Sequence, residues 1–268
     1  FDNARLAFND EAHMDPGLSG HCTAVCSILF GTDANNGDYQ GVAAEANGEV
    51  FEFWHFLKIY VFNNIAPDVD VLSASMGSVF EDWWTRGLEA MIEQHGIIVV
   101  AGIGNGTDSH DPPLYPAAGT NAIGVGVAVR IKDGNDTESF AAAKPSQSSC
   151  GPTEDMRCKP DLLAPAPAKA AITGTIDKYF DCGNYSSFAA PMVTGTVALL
   201  QQKIKAEPNL VAAAAPEVIK AILINSAKKL PFWHKGMVTK DDDHSAPLDL
   251  LQGAGLLDSK NACENLIA

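Results

Sequence analysis

Short apolar runs alternate along the chain with segments in which apolar residues recur at helical spacing. Four runs have the length and composition of buried strands: residues 69–75, 97–103, 121–129 and 161–164. Three other segments have a helical pattern: residues 79–94, 187–203 and 216–227. This alternation predicts a three-layer α/β fold, in which a mostly parallel twisted sheet carries helices on both faces. Reactive side chains are expected at the carboxyl ends of the strands, where loops and helix N-termini meet.

The helix predicted over residues 79–94 carries signals at both ends. Ser78 and Glu81 have the spacing of a capping box, and His95-Gly96 is a usual stop signal. Pro216 lies in the first turn of the helix predicted over residues 216–227, where proline is well tolerated. These signals place the helix boundaries before any tertiary contact is considered.

Length and charge limit the kinds of protein this chain can be. Its 268 residues suffice for one large core, and no Gly/Ser-rich, Pro-rich or highly charged stretch marks a linker, so we predict a single domain over residues 1–268. A formal net charge of −15 argues against nucleic acid or an anionic membrane as partner. No apolar run approaches the roughly 20 residues of a membrane helix. Because the chain begins at Phe1, we expect a processed or truncated N-terminus.

The cysteines and acidic residues give little support for a disulfide scaffold or a metal centre. Cys22 and Cys26 would share one helix face in a geometry poor for bonding, whereas Cys150 and Cys158 flank a short loop and could form a bridge. No zinc motif occurs. Residues 241–244 (DDDH) could hold calcium as a structural ion, but three adjacent acids rarely converge on one ion, so we expect a solvated loop there and no required cofactor.

Three polar segments could carry chemistry. His21 is placed at the start of a helix, Ser187 opens the helix predicted over residues 187–203, and Asn105 lies in a glycine-rich turn after a buried strand. Backbone N–H groups and the helix dipole favour negative charge beside a serine at a helix N-terminus, and an amide could donate to the same charge. Each segment alone also has an ordinary explanation, as a capping histidine, an N-cap serine or a tight turn.

Taken together and in this order, the three segments resemble the subtilisin-like serine peptidases (subtilases), whose triad runs Asp, His, Ser. The segment at His21 resembles the family's H-G-T-x-V-A block, and that at Ser187 resembles G-T-S-x-A-x-P. Five further blocks resemble the family in its own order: residues 41–46 (GVAAEA), 70–77 (DVLSASMG), 115–118 (YPAA), 159–165 (KPDLLAP) and 253–258 (GAGLLD).

The resemblance implies a serine endopeptidase that acts on polypeptides. Ser187 would attack the scissile carbonyl, His21 would take its proton, and the Ser187 N–H with the Asn105 side chain would bind the oxyanion. Two segments would pair with an extended peptide and line the pocket for the side chain before the cut: Ser75, Met76, Gly77, Gly102, Ile103 and Gly104. The family also leads us to expect an extracellular or secretory-pathway location.

The carboxylate that should orient His21 is not evident. In the family it ends an apolar strand well before the histidine, whereas Asp10 and Asp15 lie in a polar stretch here. We expect the aspartate and its strand upstream of Phe1, either on a separate chain after cleavage or lost, with Asp2 as the alternative. A pro-segment or an N-terminal fragment is a candidate partner.

Two substitutions depart from the family pattern near the reactive residues. Tyr185 stands where the family has glycine, and it could crowd the leaving-group side or distort the turn. Cys22 replaces the glycine after His21, as either a small buried residue or a thiol near the base. A subtilase fold used as a non-catalytic scaffold or binding module is therefore the main rival. An esterase of the α/β-hydrolase class is weaker, because no G-x-S-x-G occurs.

Overall fold

The computed structural model describes residues 1–9, 19–32, 39–107, 111–132, 138–166, 169–175, 178–233 and 244–268. The strands in these residues are β1 (Leu6–Asn9), β2 (Gly48–Phe51), β3 (Val71–Ala74), β4 (Ile98–Gly102), β5 (Ile123–Lys132), β6 (Glu138–Ala142), β7 (Leu162–Pro165), β8 (Lys169–Ala171) and β9 (Tyr179–Asp181). The α-helices are α1 (Gly20–Phe30), α2 (Phe53–Phe56), α3 (Trp83–His95), α4 (Ser186–Ala206), α5 (Pro216–Ser226) and α6 (Ser259–Ile267). A π-helical turn over Leu57–Val61 and 3₁₀ turns over Asn3–Arg5 and Pro208–Ala214 complete the set.

The central sheet is mostly parallel, which confirms the predicted fold class. Strands β3, β4 and β5 lie side by side in parallel, β7 also pairs in parallel with β5, and β6 runs antiparallel along β5. The strands β1 and β2 form a separate parallel pair, and β8 and β9 form an antiparallel pair. The four predicted strands and three predicted helices all occur, with boundaries shifted by a few residues.

Alternate side chains of β4 enter two different cores, which makes the protein three layers thick. Ile98 and Val100 belong to the cluster built around α4, whereas Ile97 and Val99 belong to the cluster built around α3. Complete burial of such aliphatic side chains contributes about 1.5–3 kcal/mol each. The helix α4 crosses beneath β3, β4, β5 and β7 and therefore fixes the position of its own N-terminus against the ends of those strands.

The helix α3 begins later than the capping-box pattern at Ser78 predicts. Asp82 is the N-cap, its side chain accepts from the N–H groups of Trp84 and Thr85, and Thr85 completes the box. Ser78 instead forms two backbone hydrogen bonds with Tyr115, of 2.9 and 2.8 Å, so its backbone is held in an extended bridge. The predicted start at residue 79 is therefore wrong, while Gly96, with φ of 70°, ends the helix as predicted.

A cavity of about 1380 Å³ separates β2 from β3. Both strands line it, and neither pairs with the other. Residues of α1 and α4 and aromatic and aliphatic side chains of α2 and α3 also line it. Within the described ranges, the edge of β3 that faces this cavity has no partner strand.

Two further expectations concern membranes and disulfides. No single helix in the described part of the chain is long and apolar enough to cross a membrane, although Pro208–Ala214 and Pro216–Ser226 reach that composition together across a 90° bend.

All six cysteines are free thiols, so the predicted bridge between Cys150 and Cys158 is not formed. Cys158 donates instead to the carbonyl of Asp249 at 3.2 Å.

Candidate active site

The carboxyl ends of β3 and β4 meet the N-terminus of α4. Ser75, which follows β3, donates from its Oγ to the carbonyl of Ser187 at 2.8 Å, and the Ser187 Oγ lies 3.4 Å from the carbonyl oxygen of Ser75. Gly104, which follows β4, donates its N–H to the Ser186 Oγ at 3.1 Å. These bonds join both strand ends to the first turn of one helix. Reactive groups in parallel α/β sheets lie at this carboxyl edge of the strands.

Ser187 is not a capping residue. The N-cap of α4 is Tyr185, whose side chain makes no capping bond, and Ser187 is the second residue of the helix. The N–H of Phe188 bonds to the carbonyl of Tyr185, but no group in the described residues accepts from the N–H of Ser187. The Ser187 side chain is half-buried. Ser187 thus offers a hydroxyl and an unused backbone donor at the positive end of a buried helix.

Asn105 is oriented by Ser186. Its Oδ1 accepts from the Ser186 N–H at 2.9 Å and from the Ser186 Oγ at 3.1 Å. With the carbonyl oxygen of the amide used in this way, the Nδ2 donors of Asn105 point away from that contact. An amide donor and the Ser187 N–H therefore lie at adjacent positions of the same helix N-terminus, which is the arrangement that stabilises an oxyanion. Sequence reasoning selected Asn105 and Ser187 but missed the role of Ser186.

His21 lies near Ser187 without bonding to it. It is the second residue of α1, whose N-cap Ser19 accepts from the N–H of Cys22 at 3.1 Å, and its ring is exposed. The ring centroid of His21 is 6.1 Å from that of Phe188, the residue after Ser187. Across the described ranges, the His21 ring makes no hydrogen bond. Catalytic hydrogen bonds are often loose before substrate binds, so this geometry is compatible with a base.

Asp2 does not orient His21. Its carboxylate accepts from the N–H of Ala4 at 3.0 Å and pairs with Arg5 at 2.9 Å at the surface. The Ala4 N–H bond is also the main reason why the pKa of Asp2 is lowered. The alternative based on Asp2 therefore has no support in the structure. Asp10 and Asp15 lie outside the described residues.

Tyr185 fits the turn before Ser187 without strain. Its φ of −117° and ψ of 138° are ordinary extended values, so this backbone does not require glycine. The half-exposed ring packs over Gly183 and meets Phe188 edge-on with centroids 6.2 Å apart. The expected distortion of the turn is therefore absent at Tyr185.

The two segments predicted to form the walls of the substrate site differ in burial and in backbone hydrogen bonding. Met76 and Gly77 are exposed, and among the described residues the backbone groups of Ser75–Gly77 bond to no other backbone. Ile103 is fully buried, its N–H donates to Val125, and its carbonyl accepts from Leu114. Gly102 and Gly104 are buried beside it. The wall at 102–104 can line a pocket, whereas Met76 and Gly77 have backbone groups that bond to no other backbone among the described residues and could pair with an extended peptide.

No metal site is recognisable in the part of the chain that the structure describes. There, no group of three or more His, Cys, Asp or Glu side chains is arranged to hold an ion. The calcium prediction for residues 241–244 lies outside the described residues except for His244.

Known proteins resemble nearly the whole of this chain. Among curated proteins, the serine protease AprX of Bacillus subtilis (strain 168) is 26% identical over 287 residues, covering 94% of this chain. The chain spans 59% of the length of AprX.

Solved structures share the fold at lower identity. The patellamide maturation protease PatA is 22% identical, with a TM-score of 0.67 over 98% of this chain and 89% of its own. The prenylagaramide maturation protease PagA is 21% identical, with a TM-score of 0.63 over 97% and 93% of the two chains. The PatG macrocyclase in complex with peptide is 16% identical, with a TM-score of 0.65 over 93% and 69%. A family model described as the subtilase family matches residues 2–255, and the chain therefore belongs to the subtilase family.

Proposed function

We propose that this domain is a serine endopeptidase in which Ser187 is the nucleophile, His21 the general base, and Asn105 with the Ser187 N–H the oxyanion donors. The observation that carries the proposal is the pair of hydrogen bonds from Ser186 to the Asn105 Oδ1. They fix an amide donor beside a serine whose own N–H is unused, and both donors could hold an oxyanion in acyl transfer.

The reaction follows from these positions. Ser187 Oγ attacks the scissile carbonyl carbon while His21 accepts its proton, and the carbonyl oxygen becomes an oxyanion held by Asn105 Nδ2 and the Ser187 N–H. When the tetrahedral intermediate collapses, His21 returns the proton to the leaving amine. Water then hydrolyses the acyl-enzyme by the same steps in reverse order, with His21 again as base.

Polypeptides are the proposed substrates. Backbone groups of Ser75, Met76 and Gly77 would pair with an extended peptide, and Gly102, Ile103 and Gly104 would close the pocket for the residue before the cut. The names of the maturation proteases PatA and PagA accord with peptide substrates. An extracellular or secretory-pathway location and a structural calcium ion stay predictions.

The orienting carboxylate is proposed to come from a segment outside residues 1–268 that fills the cavity between β2 and β3. A strand in a covered sheet occupies about 160 Å³ per residue, given spacings of about 4.8 and 10 Å and a rise of about 3.3 Å. The cavity of about 1380 Å³ therefore admits roughly eight residues of strand. Ser75 and His21 both line it, so a strand parallel to β3 would end beside the His21 ring.

Labelling with an alkyl fluorophosphonate tests the proposal. We expect the folded full-length protein to take one label on Ser187 and the variant Ser187→Ala to take none. Ser186→Ala is the matched control: it keeps the nucleophile and should still be labelled, but more slowly, because it loses the hydroxyl bonds to Asn105 and Gly104. Absence of label on the folded full-length protein would overturn the proposal.

A non-catalytic scaffold is the second candidate, favoured by the lack of a carboxylate beside His21 in the described residues. A scaffold would take no label on Ser187 but would still bind peptides along residues 75–77. Peptide binding by a full-length protein that fluorophosphonate does not label would therefore select the scaffold.

A further inference from the structure

Two thiols lie against each other directly after His21. Cys22 and Cys26 are one turn apart in α1, and their Sγ atoms are 3.8 Å apart. Both side chains are half-buried. Neither takes part in the proposed acyl transfer, and a contact of this kind between two free thiols has no structural role that replacement by apolar residues would not serve equally well.

We propose that Cys22 and Cys26 form a modification site for hydroperoxides, at which Cys22 is oxidised and Cys26 closes a disulfide that displaces His21. The oxidation of the thiols is argued from the contact between the two sulfur atoms, whereas its effect on activity rests on the proposed peptidase function.

The chemistry balances with a hydroperoxide as the oxidant. The Cys22 thiolate attacks one peroxide oxygen, the O–O bond breaks, and the leaving hydroxide takes a proton to become water, which leaves a sulfenic acid. The Cys26 sulfur then attacks the Cys22 sulfur, the S–O bond breaks, and a second water leaves. In total, two thiols and one hydrogen peroxide give one disulfide and two waters, and a dithiol reductant reverses the change.

The two thiols are unequal in a way that suits these roles. The Cys26 thiol, as donor to the Cys22 sulfur, lowers the pKa of Cys22 to about 7, and the same contact raises the pKa of Cys26. Cys22 also lies in the first turn of α1, where the helix dipole favours a thiolate. Thiolate thus forms more readily at Cys22 than at an ordinary cysteine. Cys22 is therefore the attacking thiol and Cys26 the resolving one.

Other cysteines are less suited to oxidation. Burial is the main reason why the pKa of Cys150 rises to about 11 and that of Cys158 to about 12. Cys182 is buried. Cys263 is half-buried on α6 and serves as the natural comparison for non-specific oxidation.

A disulfide at this position must deform the start of α1. Side chains one helical turn apart have Cβ atoms about 5–6 Å apart, whereas a disulfide holds them at about 3.8 Å. The first turn has to shift by roughly 2 Å to close that difference, and His21 lies in that turn beside Cys22. A strained disulfide is also easily reduced, so the modification is reversible. Oxidation therefore moves the proposed base relative to Ser187.

Mass spectrometry of the full-length protein tests the thiol chemistry independently of activity. Trypsin releases residues 6–58 as one peptide that contains Cys22 and Cys26 and no other cysteine. After hydrogen peroxide, we expect this peptide to lose two hydrogens, to resist alkylation and to recover with a dithiol. Cys26→Ser should instead gain oxygen on Cys22, and Cys263→Ser should behave as the wild type. Oxidation of Cys263 with no disulfide in the 6–58 peptide would overturn the proposal.

Fluorophosphonate labelling of Ser187 tests the effect on the site. The labelling rate should fall at least about tenfold after peroxide, return with the dithiol, and stay unchanged in the double variant Cys22→Ser with Cys26→Ser. A disulfide that forms without slowing the labelling would overturn the displacement of His21. If the untreated protein is not labelled at all, the peptidase function fails, while the mass of the 6–58 peptide still decides the thiol proposal.

Discussion

Asn105 and Ser186 are joined by two hydrogen bonds, from the Ser186 N–H at 2.9 Å and from the Ser186 Oγ at 3.1 Å, across 81 residues of sequence. Both bonds end on the Asn105 Oδ1. One end of the amide is therefore engaged in holding the loop after β4 to α4, and the other end remains available to a ligand. The same side chain is at once a structural acceptor and a candidate catalytic donor, and substitutions can separate the two roles.

Asn105→Asp removes the donor and keeps the acceptor. We expect kcat/KM for peptide hydrolysis to fall by about 100- to 1,000-fold, the range known for loss of this kind of donor in subtilisin itself, with the added negative charge acting in the same direction. The melting temperature should change little, because the Ser186 bonds survive. Steady-state kinetics together with thermal unfolding would measure both quantities.

Asn105→Leu is the matched comparison, since it removes donor and acceptor together. Its activity should fall as far as that of Asn105→Asp, while its free energy of unfolding should fall by about 1–3 kcal/mol, because two Ser186 donors lose their partner. Near-normal hydrolysis by either variant would contradict an oxyanion role for Asn105.

Gly104 combines a left-handed backbone with a crowded environment. Its φ is +115°, and a Cβ there would lie 2.5 Å from the Ser149 Oγ and 3.0 Å from Leu114. Gly96 has a φ of +70° with nothing within 4 Å. We expect Gly96→Ala to lower the free energy of unfolding by about 1 kcal/mol, through backbone strain alone, and Gly104→Ala to lower it by clearly more.

Activity should separate the same two glycine variants. Gly104→Ala would shift the N–H that bonds to the Ser186 Oγ and so reduce kcat, whereas Gly96→Ala lies at the far end of α3 and should not. Denaturant unfolding and kinetics measured on both variants check this, and equal effects of the two substitutions would contradict it.

The Cys22 thiol should react at lower pH than an ordinary cysteine. Only the thiolate reacts with iodoacetamide, and the Cys26 contact lowers the pKa of Cys22 to about 7. The alkylation rate should therefore rise with pH around a midpoint of about 7 and be nearly level by pH 8 to 9. In Cys26→Ala the donor is gone, and the midpoint should move upward; an unchanged midpoint would show that Cys26 is not the cause. Peptide-resolved mass spectrometry of residues 6–58 follows this reaction.

Local sequence signals predicted the order of elements well and failed where tertiary contacts compete with them. Residues 97–103 and 216–227 became β4 and α5 nearly as predicted, because apolar periodicity reflects burial directly. Ser78 looked like a helix cap, but its backbone bonds to Tyr115, and Asp82 took that role in its place. A bridge between segments 37 residues apart along the chain leaves no local signal at Ser78.

The candidate site was partly predictable for a related reason. His21, Asn105 and Ser187 belong to short blocks that resemble the family, and each block can be read from the sequence alone. The bonds between Ser186 and Asn105, and the contact of Cys22 with Cys26, depend on side-chain directions that only the packed structure fixes. The same holds for the cavity between β2 and β3, since it is lined by several elements and is a property of no single segment.

A buried ion cluster holds the start of β5. The Asp161 Oδ2 accepts from Lys159 Nζ at 2.6 Å and from the Gly124 N–H at 2.7 Å, and its Oδ1 pairs with Lys220 Nζ at 3.1 Å. Lys159 is almost wholly buried, and burial lowers its pKa to about 8. Asp161→Asn leaves two ammonium groups without their carboxylate, so the free energy of unfolding should fall by about 3–5 kcal/mol.

The surface pair of Lys203 on α4 and Glu207, the C-cap of that helix, provides the control for that substitution. Glu207→Gln should cost less than about 1 kcal/mol, because solvent screens the pair. Urea unfolding of both variants would measure the difference, and similar losses would mean that the Asp161 cluster contributes no more than a surface pair.

Hydrogen exchange can decide whether a strand fills the cavity between β2 and β3. If a segment outside residues 1–268 pairs with β3, the β3 amides that do not bond to β4 should exchange in the full-length protein as slowly as those of β4. The outer edge of β6 gives the comparison, since β6 pairs only with β5 in the described residues and its outward amides should exchange quickly. Equally fast exchange at the outer edges of β3 and β6 would mean that the cavity stays unfilled and that the carboxylate for His21 must be sought elsewhere.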